Sequence, residues 1–333
     1  MDKFFRTDEK NMNANLEILS GQPGLFLQPK SALFRRDFGQ IRIYFTPDAL
    51  TDPSQTFSGV TDVIKNSAGD SGFLVQWRDK QAQVAVITGE LPEDTEIRTT
   101  EAREYGSFFH GLIPGLVAQG LQYDPLHLTA EVNGYLIKKN LMRYDSDAWE
   151  RKAMKHLMAF LQWIQEQNIE IIGVELPVIL TEYQGVTFRM ASQIDLVCRN
   201  KRKEMILVDI KTGERSYKGY RGYQYQLGYY ELMLKANYPE LSLSGAIPKF
   251  NWSPKDWQKS PSYHFDPQPD TPFSILAGMA EKFWYENGDD FLTRSQLEFQ
   301  NTVLRPDNLT PQRTTYYELI QRDILTLQKE AAV

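Results

Sequence analysis

The sequence predicts an α/β protein, and two observations carry that prediction. Between Ile169 and Lys211 the chain runs through three apolar stretches of strand length, the first rich in Ile and Val and the second alternating with a period of two, and on both sides of them apolar residues recur at helical spacing. With 333 residues, 41% of them apolar, the chain can bury the core of one large domain or two modest ones.

In chain order, Met1 to Asn15 is polar and carries no core signal. Leu25 to Phe45 alternates apolar and basic residues, with Gln40-Ile41-Arg42-Ile43-Tyr44-Phe45 the clearest strand. Arg35 and Arg36 read either as a solvated charge face or as phosphate contacts, and Pro47 to Pro53 as a turn or loop. Thr100 is placed to cap a helix from about Glu101 to Ala118. On that helix Gly106 lies one turn before His110, where a missing side chain permits close backbone approach. Leu121 to Asn140 gives a mixed signal. Asp147 and Glu150 form an Asp-x-x-Glu start to a helix on which Ala153, Leu157, Phe160, Leu161 and Ile164 recur at helical spacing up to Asn168. His156, on this helix, reads as structural.

Ile169 to Leu180 and Val186 to Cys198 read as strands joined by the turn Glu182-Tyr183-Gln184-Gly185, with Phe188, Met190, Ser192, Ile194, Leu196 and Cys198 on one side of the second. Arg199 to Lys203 connects them to a third strand, Met205 to Lys211, which completes an antiparallel meander. Residues two apart share a face of a strand, so Asp209 and Lys211 face one way and Ile206, Val208 and Ile210 the other. Asp195 also stands among alternating apolar residues, where a carboxylate is costly to bury unless a cation or hydrogen bonds compensate it. Glu175, Asp195 and Asp209 converging with Lys211 would meet that requirement by holding a hard divalent cation, because Mg²⁺ prefers oxygen ligands and keeps several waters. Such an ion acidifies a water and polarises a phosphodiester. Lys211 is then placed to orient or deprotonate the water, or to stabilise charge in the transition state.

After Lys211, the cations Arg215, Lys218 and Arg221 alternate with Tyr217, Tyr220, Tyr223 and Tyr225. Cations that hold phosphates and rings on which bases stack are the ingredients of single-strand binding; the competing reading is a Tyr-rich loop packed on its own domain. A helix from about Tyr223 to Ala236 makes Gln226 and Tyr230 neighbours on one face. Within Leu241 to Phe265, Asn251-Trp252-Ser253-Pro254-Lys255-Asp256-Trp257 suggests an ordered loop between late strands. Pro267 to Pro272 separates it from two helices, Ser274 to Glu286 and Pro311 to Lys329, the second capped by Thr310.

Composition narrows the classes. Cys198 is the single cysteine, which excludes a disulfide framework, a zinc ribbon and a four-cysteine iron–sulfur cluster. No run approaches a membrane span, and Met1-Asp2-Lys3 opens a polar segment without signal-peptide organisation, so a cytoplasmic protein is expected. The formal charge of −6 argues against an extended nonspecific nucleic-acid surface and leaves binding to local clusters.

The ordered set Glu175, Asp195, Asp209-Ile210-Lys211 and Gln226-x-x-x-Tyr230 resembles the PD-(D/E)xK nuclease superfamily, and its Gln-x-x-x-Tyr element resembles the RecB-like exonuclease branch. Three further segments in the order of that branch, Ser58-Gly59-Val60-Thr61, Phe73 to Arg78 with Trp77, and Gly106-Ser107-Phe108-Phe109-His110, extend the resemblance over roughly residues 40 to 235. It implies a restriction-endonuclease-like mixed sheet flanked by helices, and a DNA nuclease using one or two Mg²⁺ or Mn²⁺ ions without an iron–sulfur cluster. His110, Asp195, Asp209 and the Ile210 carbonyl would ligate metal, whereas on sequence alone His110 is an ordinary helix histidine. Glu175 would bind a second ion or position water, and Gln226 and Tyr230 would order the site. Ser192 departs from the family, where the position three before Asp195 is often Gly. The implied division is a polar segment and hairpin at 1–55, a nuclease core at 56–240 with a helical insertion at about 111–168, and a C-terminal extension at 241–333. Exonuclease action on single-stranded DNA, in a bacterium or phage-infected cell and beside a recombination or replication partner, follows from the resemblance. The rival reading is a catalytically silent nucleic-acid-binding module of the same fold.

Overall fold

The computed structural model describes residues 17–19, 24–30, 33–38, 41–50, 52, 55–68, 92–122, 124–213, 221–255 and 260–299. Four strands come first: β1 (Glu17–Leu19), β2 (Leu33–Phe38), β3 (Ile41–Phe45) and β4 (Thr56–Gly59). They lead into α1 (Val60–Ser67). Three helices follow, α2 (Pro92–Ala118), α3 (Pro125–Lys138) and α4 (Ser146–Gln167). The meander is β5 (Glu170–Tyr183), β6 (Val186–Arg199) and β7 (Met205–Ile210). Then come α5 (Arg221–Asn237), β8 (Lys249–Pro254), β9 (Tyr263–Gln268) and α6 (Phe273–Phe299).

Helix boundaries depart from the sequence reading where a better cap exists. Thr100 does not start a helix, because α2 begins at Pro92 and carries it inside. Asp145, not the Asp147–Glu150 pair, caps α4 by accepting the Ala148 amide at 3.1 Å, and Asn168 closes the helix in the left-handed region at φ 49°. The mixed segment after Leu121 contains α3, capped by Asp124 with Pro125 in its first turn. Its exposed Leu126 and Ile137 blur the helical period. The expected loop at Asn251 to Pro254 is instead β8, laid parallel to β7 and antiparallel to β9. Its proline stands at the last residue, where it does not interrupt pairing. The Trp77 segment, Asp256-Trp257 and the helix expected at Pro311 to Lys329 lie outside the described residues.

The nine strands among the described residues form one mixed sheet, and it forks. β5 occupies one edge of β6 along almost its whole length, pairing from Glu170 with Arg199 to Tyr183 with Val186. The other edge of β6 takes two different neighbours. β4 runs parallel to it at Met190 and Ala191, and β7 runs antiparallel to it from Leu196 to Arg199. Residues 192–195 lie in the gap between the two branches. One arm continues through β4, β3, β2 and β1, and the other through β7, β8 and β9.

Helices cover both faces, which makes three layers. One core joins α1, α5 and α6 to Phe188, Met190, Ile194, Val197 and Leu207. The other joins α2, α3 and α4 to Leu196, Cys198, Ile206, Val208 and Ile210. Leu207 and Val208 thus enter opposite cores, as a period of two requires. Along β6 the expected single apolar side is broken, since Ile194 belongs to the first core and Leu196 and Cys198 to the second. The change falls at the fork, between Ile194 and Leu196, where β7 replaces β4 as the neighbour of β6. No helix among the described residues is long and apolar enough to cross a membrane.

Candidate functional site

The fork creates the site. Extending the register that pairs Val174 with Leu196 and Leu176 with Ile194 puts Glu175 opposite Asp195 on one edge of β6. Extending the pairing of Leu196 with Val208 puts Asp209 opposite Asp195 on the other edge, where β7 has begun to follow β8. The Lys211 amide donates to the Trp252 carbonyl of β8 at 2.8 Å, completing that separation. Asp195 closes the gap with its side chain, its Oδ2 accepting the Ile210 amide at 2.8 Å.

His110 arrives from α2. Its Nδ1 lies 3.1 Å from Glu175 Oε1 and 3.8 Å from Asp195 Oδ2, and its Nε2 lies 3.1 Å from the Ile210 carbonyl oxygen. One ligand atom from each of His110, Glu175 and Asp195 lies within 4.8 Å of the others, a grouping that can hold a metal ion. Asp209 is not part of that grouping. Its carboxylate is fully buried, with Lys211 Nζ 2.6 Å from Oδ2 and, among the described residues, no hydrogen-bond partner for either oxygen beyond that ion pair. A buried carboxylate so sparsely compensated, beside an imidazole and two further carboxylates, suits a hard divalent cation.

The charges are tightly balanced. Burial alone would lower the His110 imidazole, but Asp195 and Glu175 outweigh it and raise its pKa to about 9. Burial pushes Asp209 up to about 7 against the pull of Lys211, and burial also raises Asp195. Burial works against the Lys211 ammonium, but Asp209, Tyr223 and Asp195 raise its pKa above the ordinary value. The neighbouring carboxylates thus favour the ammonium form of Lys211, which suits it to orienting a water or facing developing negative charge.

Beneath these residues runs a polar chain from α5. Lys211 donates to Gln226 Oε1 at 3.4 Å, Gln226 Nε2 donates to the Tyr230 hydroxyl oxygen at 2.6 Å, and Ser192 Oγ lies 3.5 Å from the same oxygen. The helical neighbours Gln226 and Tyr230 are thus bonded to each other, and Ser192 joins them. Lys211 also stands 4.4 Å from the centre of the Tyr223 ring.

Backbone geometry supports the placement. Glu175 takes φ 42°, a left-handed conformation in the middle of a strand, just beyond the bulge between Ile171 and Gly173. A Cβ on Gly106 would meet Thr212 Oγ1 at 3.1 Å, so the glycine one turn before His110 does let α2 lie close over the end of β7.

Glu175, His110, Asp195, Ile210, Lys211, Gln226 and Tyr230 all line one cleft of about 780 Å³. Arg215, Tyr217, Lys218 and Tyr220 lie outside the described residues, and Arg221 is exposed at the start of α5. The cleft also contains residues that sequence reasoning did not assign: Arg42, Arg103, Ser107, Gln193 and Thr212. The signal for two of them was present. Arg103 and Ser107 stand seven and three residues before His110, the spacing of one helix face. Arg42 and Gln193 carry no comparable mark.

A sequence profile of the PD-(D/E)XK nuclease superfamily matches residues 85–318. No curated protein matches the chain at a significant level.

Proposed function

The chain belongs to the PD-(D/E)XK nuclease superfamily, and from that premise we propose that it is a metal-dependent DNA nuclease of the RecB-like branch, acting from single-stranded ends. The observation that carries the proposal is the convergence of His110, Glu175 and Asp195, with Asp209 and Lys211 beside them, at the fork of the sheet. His110, Asp195, Asp209 and the Ile210 carbonyl are the proposed ligands of Mg²⁺ or Mn²⁺, and Glu175 the ligand of a second ion or the residue that positions water. The ion, when bound, supplies Lewis-acid polarisation of the phosphodiester and a more acidic water. Lys211 directs its ammonium at the attacked phosphate or the attacking water. Gln226 holds Lys211, and Tyr230 ties Gln226 to Ser192 on β6, so a rigid polar chain sets the lysine's position. The RecB-like assignment rests on the Gln226-x-x-x-Tyr230 element and on the Gly106-to-His110 pair. A silent binding module would be expected to have lost a ligand or the lysine, and this chain retains both.

The test is degradation of end-labelled single-stranded, duplex and closed-circular DNA with Mg²⁺, Mn²⁺ or EDTA, by wild type and by Asp209→Ala and Lys211→Ala. Metal-dependent loss of the linear single strand, sparing the circle and abolished in both variants, is the expected result, and the labelled end gives the polarity. Binding of DNA by all three proteins without any cleavage would replace the nuclease with the binding module.

A further inference from the structure

Two of the arginines that line the cleft come from outside the segment that matches the family. The match begins at residue 85, whereas Arg35 is on β2 and Arg42 on β3. In the antiparallel register of that hairpin Arg35 opposes Tyr44, and Arg42 stands two residues before Tyr44, so all three project from the same face. That face lines the cleft. Arg35 Nη1 also donates to Gln193 Oε1 at 2.8 Å. Gln193 precedes Asp195 by two residues, roughly 6.6 Å along β6, and both line the cleft. The Arg35 guanidinium is therefore anchored within a short step of the proposed metal ligands.

Charge points the same way. Arg35 and Arg42 bring two guanidinium groups to the wall of the cleft, while Lys211 is paired with Asp209 at 2.6 Å and Arg103 with Glu104 at 3.3 Å, in a chain whose net charge is −6. Two cations on one wall of a cleft in an acidic protein draw anions to that place. Guanidinium groups suit phosphate because their forked donors match its oxygens. Resting on the nuclease reading, we infer that Arg35 and Arg42 form a phosphate subsite on the N-terminal hairpin, which holds the backbone phosphate neighbouring the scissile one and guides the strand across the fork.

The experiment uses the full chain with Ca²⁺ and a fluorescein-labelled single-stranded DNA oligonucleotide, followed by anisotropy over a salt series. Arg35→Gln and Arg42→Gln, which keep a polar side chain without the charge, each weaken binding roughly tenfold. Each also lowers the slope of log affinity against log salt by about 0.7, the value for one lost single-strand phosphate contact. Lys203→Ala, at the exposed turn between β6 and β7, leaves both quantities unchanged and serves as the control. Arg35→Lys, retaining the charge, recovers the slope, which bracing of the hairpin alone would not produce. Thermal melting within a few degrees of wild type establishes that the variants fold, and the paired Gln and Lys substitutions keep the comparison valid if one proves less stable. If wild type binds the oligonucleotide and both Gln variants keep its affinity and slope, the subsite is wrong and the nuclease reading stands. If wild type neither binds nor degrades single-stranded DNA, the nuclease reading fails and removes the subsite with it.

Discussion

Asp195 accepts the backbone amide of Ile210 at 2.8 Å across the point where β6 and β7 separate. A carboxylate here takes over a hydrogen bond that the sheet ladder no longer makes, and the same side chain faces His110. Structure and chemistry therefore rest on one residue and are separable by substitution. Asp195→Asn keeps an acceptor for Ile210 and removes a buried charge, so it is at least as stable as wild type in metal-free buffer. Asp195→Ala leaves the amide unsatisfied and is about 1–3 kcal/mol less stable than Asp195→Asn. Both lose hydrolysis. Urea denaturation of the three proteins decides the matter, and equal stability of the two variants would remove the structural role.

The contact of Gly106 with Thr212 gives a second prediction. A methyl group on Gly106 would sit 3.1 Å from Thr212 Oγ1, tight enough that the threonine after Lys211 has to move. Gly106→Ala in the interior of α2 gains up to about 1 kcal/mol from helix propensity, yet it lowers DNA hydrolysis. Removing the clashing hydroxyl in the double variant Gly106→Ala, Thr212→Ala restores activity relative to Gly106→Ala. Failure of that rescue, with Thr212→Ala itself active, would show that the glycine serves another purpose.

The meander and its acids were legible because they are local. Glu175, Asp195 and Asp209 lie on three consecutive antiparallel strands joined by short turns, so period and spacing alone place them opposite one another. Gly106 was legible through helical spacing to His110. The fork was not, because β4 pairs with β6 across about 130 residues and only two residues of each strand meet. Arg42 reaches the cleft through that pairing, and nothing near it in sequence announces the fact. β8 was hidden by its composition, since Asn, Trp, Ser and Pro in succession read as a loop, yet its central position between β7 and β9 overrides that preference.

Glu175 supplies a third prediction. At φ 42° a glutamate holds a conformation that asparagine tolerates better. Asp195 and His110 face it, so both Glu175→Asn and Glu175→Gln lose activity. The asparagine variant is nonetheless more stable than the glutamine variant, by about 1 kcal/mol. Denaturant midpoints compare them directly, and a more stable glutamine variant would mean that the backbone there stores no strain.

A last prediction concerns a charged network that the proposed chemistry does not use. Lys249, at the start of β8, is wholly buried, and its amine donates to Glu231, to Asp270 Oδ1 at 2.6 Å and to the Ile247 carbonyl at 3.0 Å. Glu231 is nearly buried and also takes Lys235 Nζ at 2.7 Å and the Ile247 amide at 3.2 Å, whereas Asp270 is 65% exposed. The two carboxylates are therefore unequal. Removing the exposed one leaves the lysine with its inner partner and costs about 1 kcal/mol or less. Glu231→Ala strands a buried cation and unpairs an amide, which costs about 3–5 kcal/mol. Lys249→Met fills the same space without charge and leaves Glu231 with Lys235 and the Ile247 amide, so it costs less than Glu231→Ala. Guanidinium unfolding of Glu231→Ala, Asp270→Ala and Lys249→Met should find Glu231→Ala less stable than either of the other two. Because none of the three lines the cleft, the fraction that folds keeps wild-type hydrolysis, and a loss of activity in folded Lys249→Met would tie this network to the site instead.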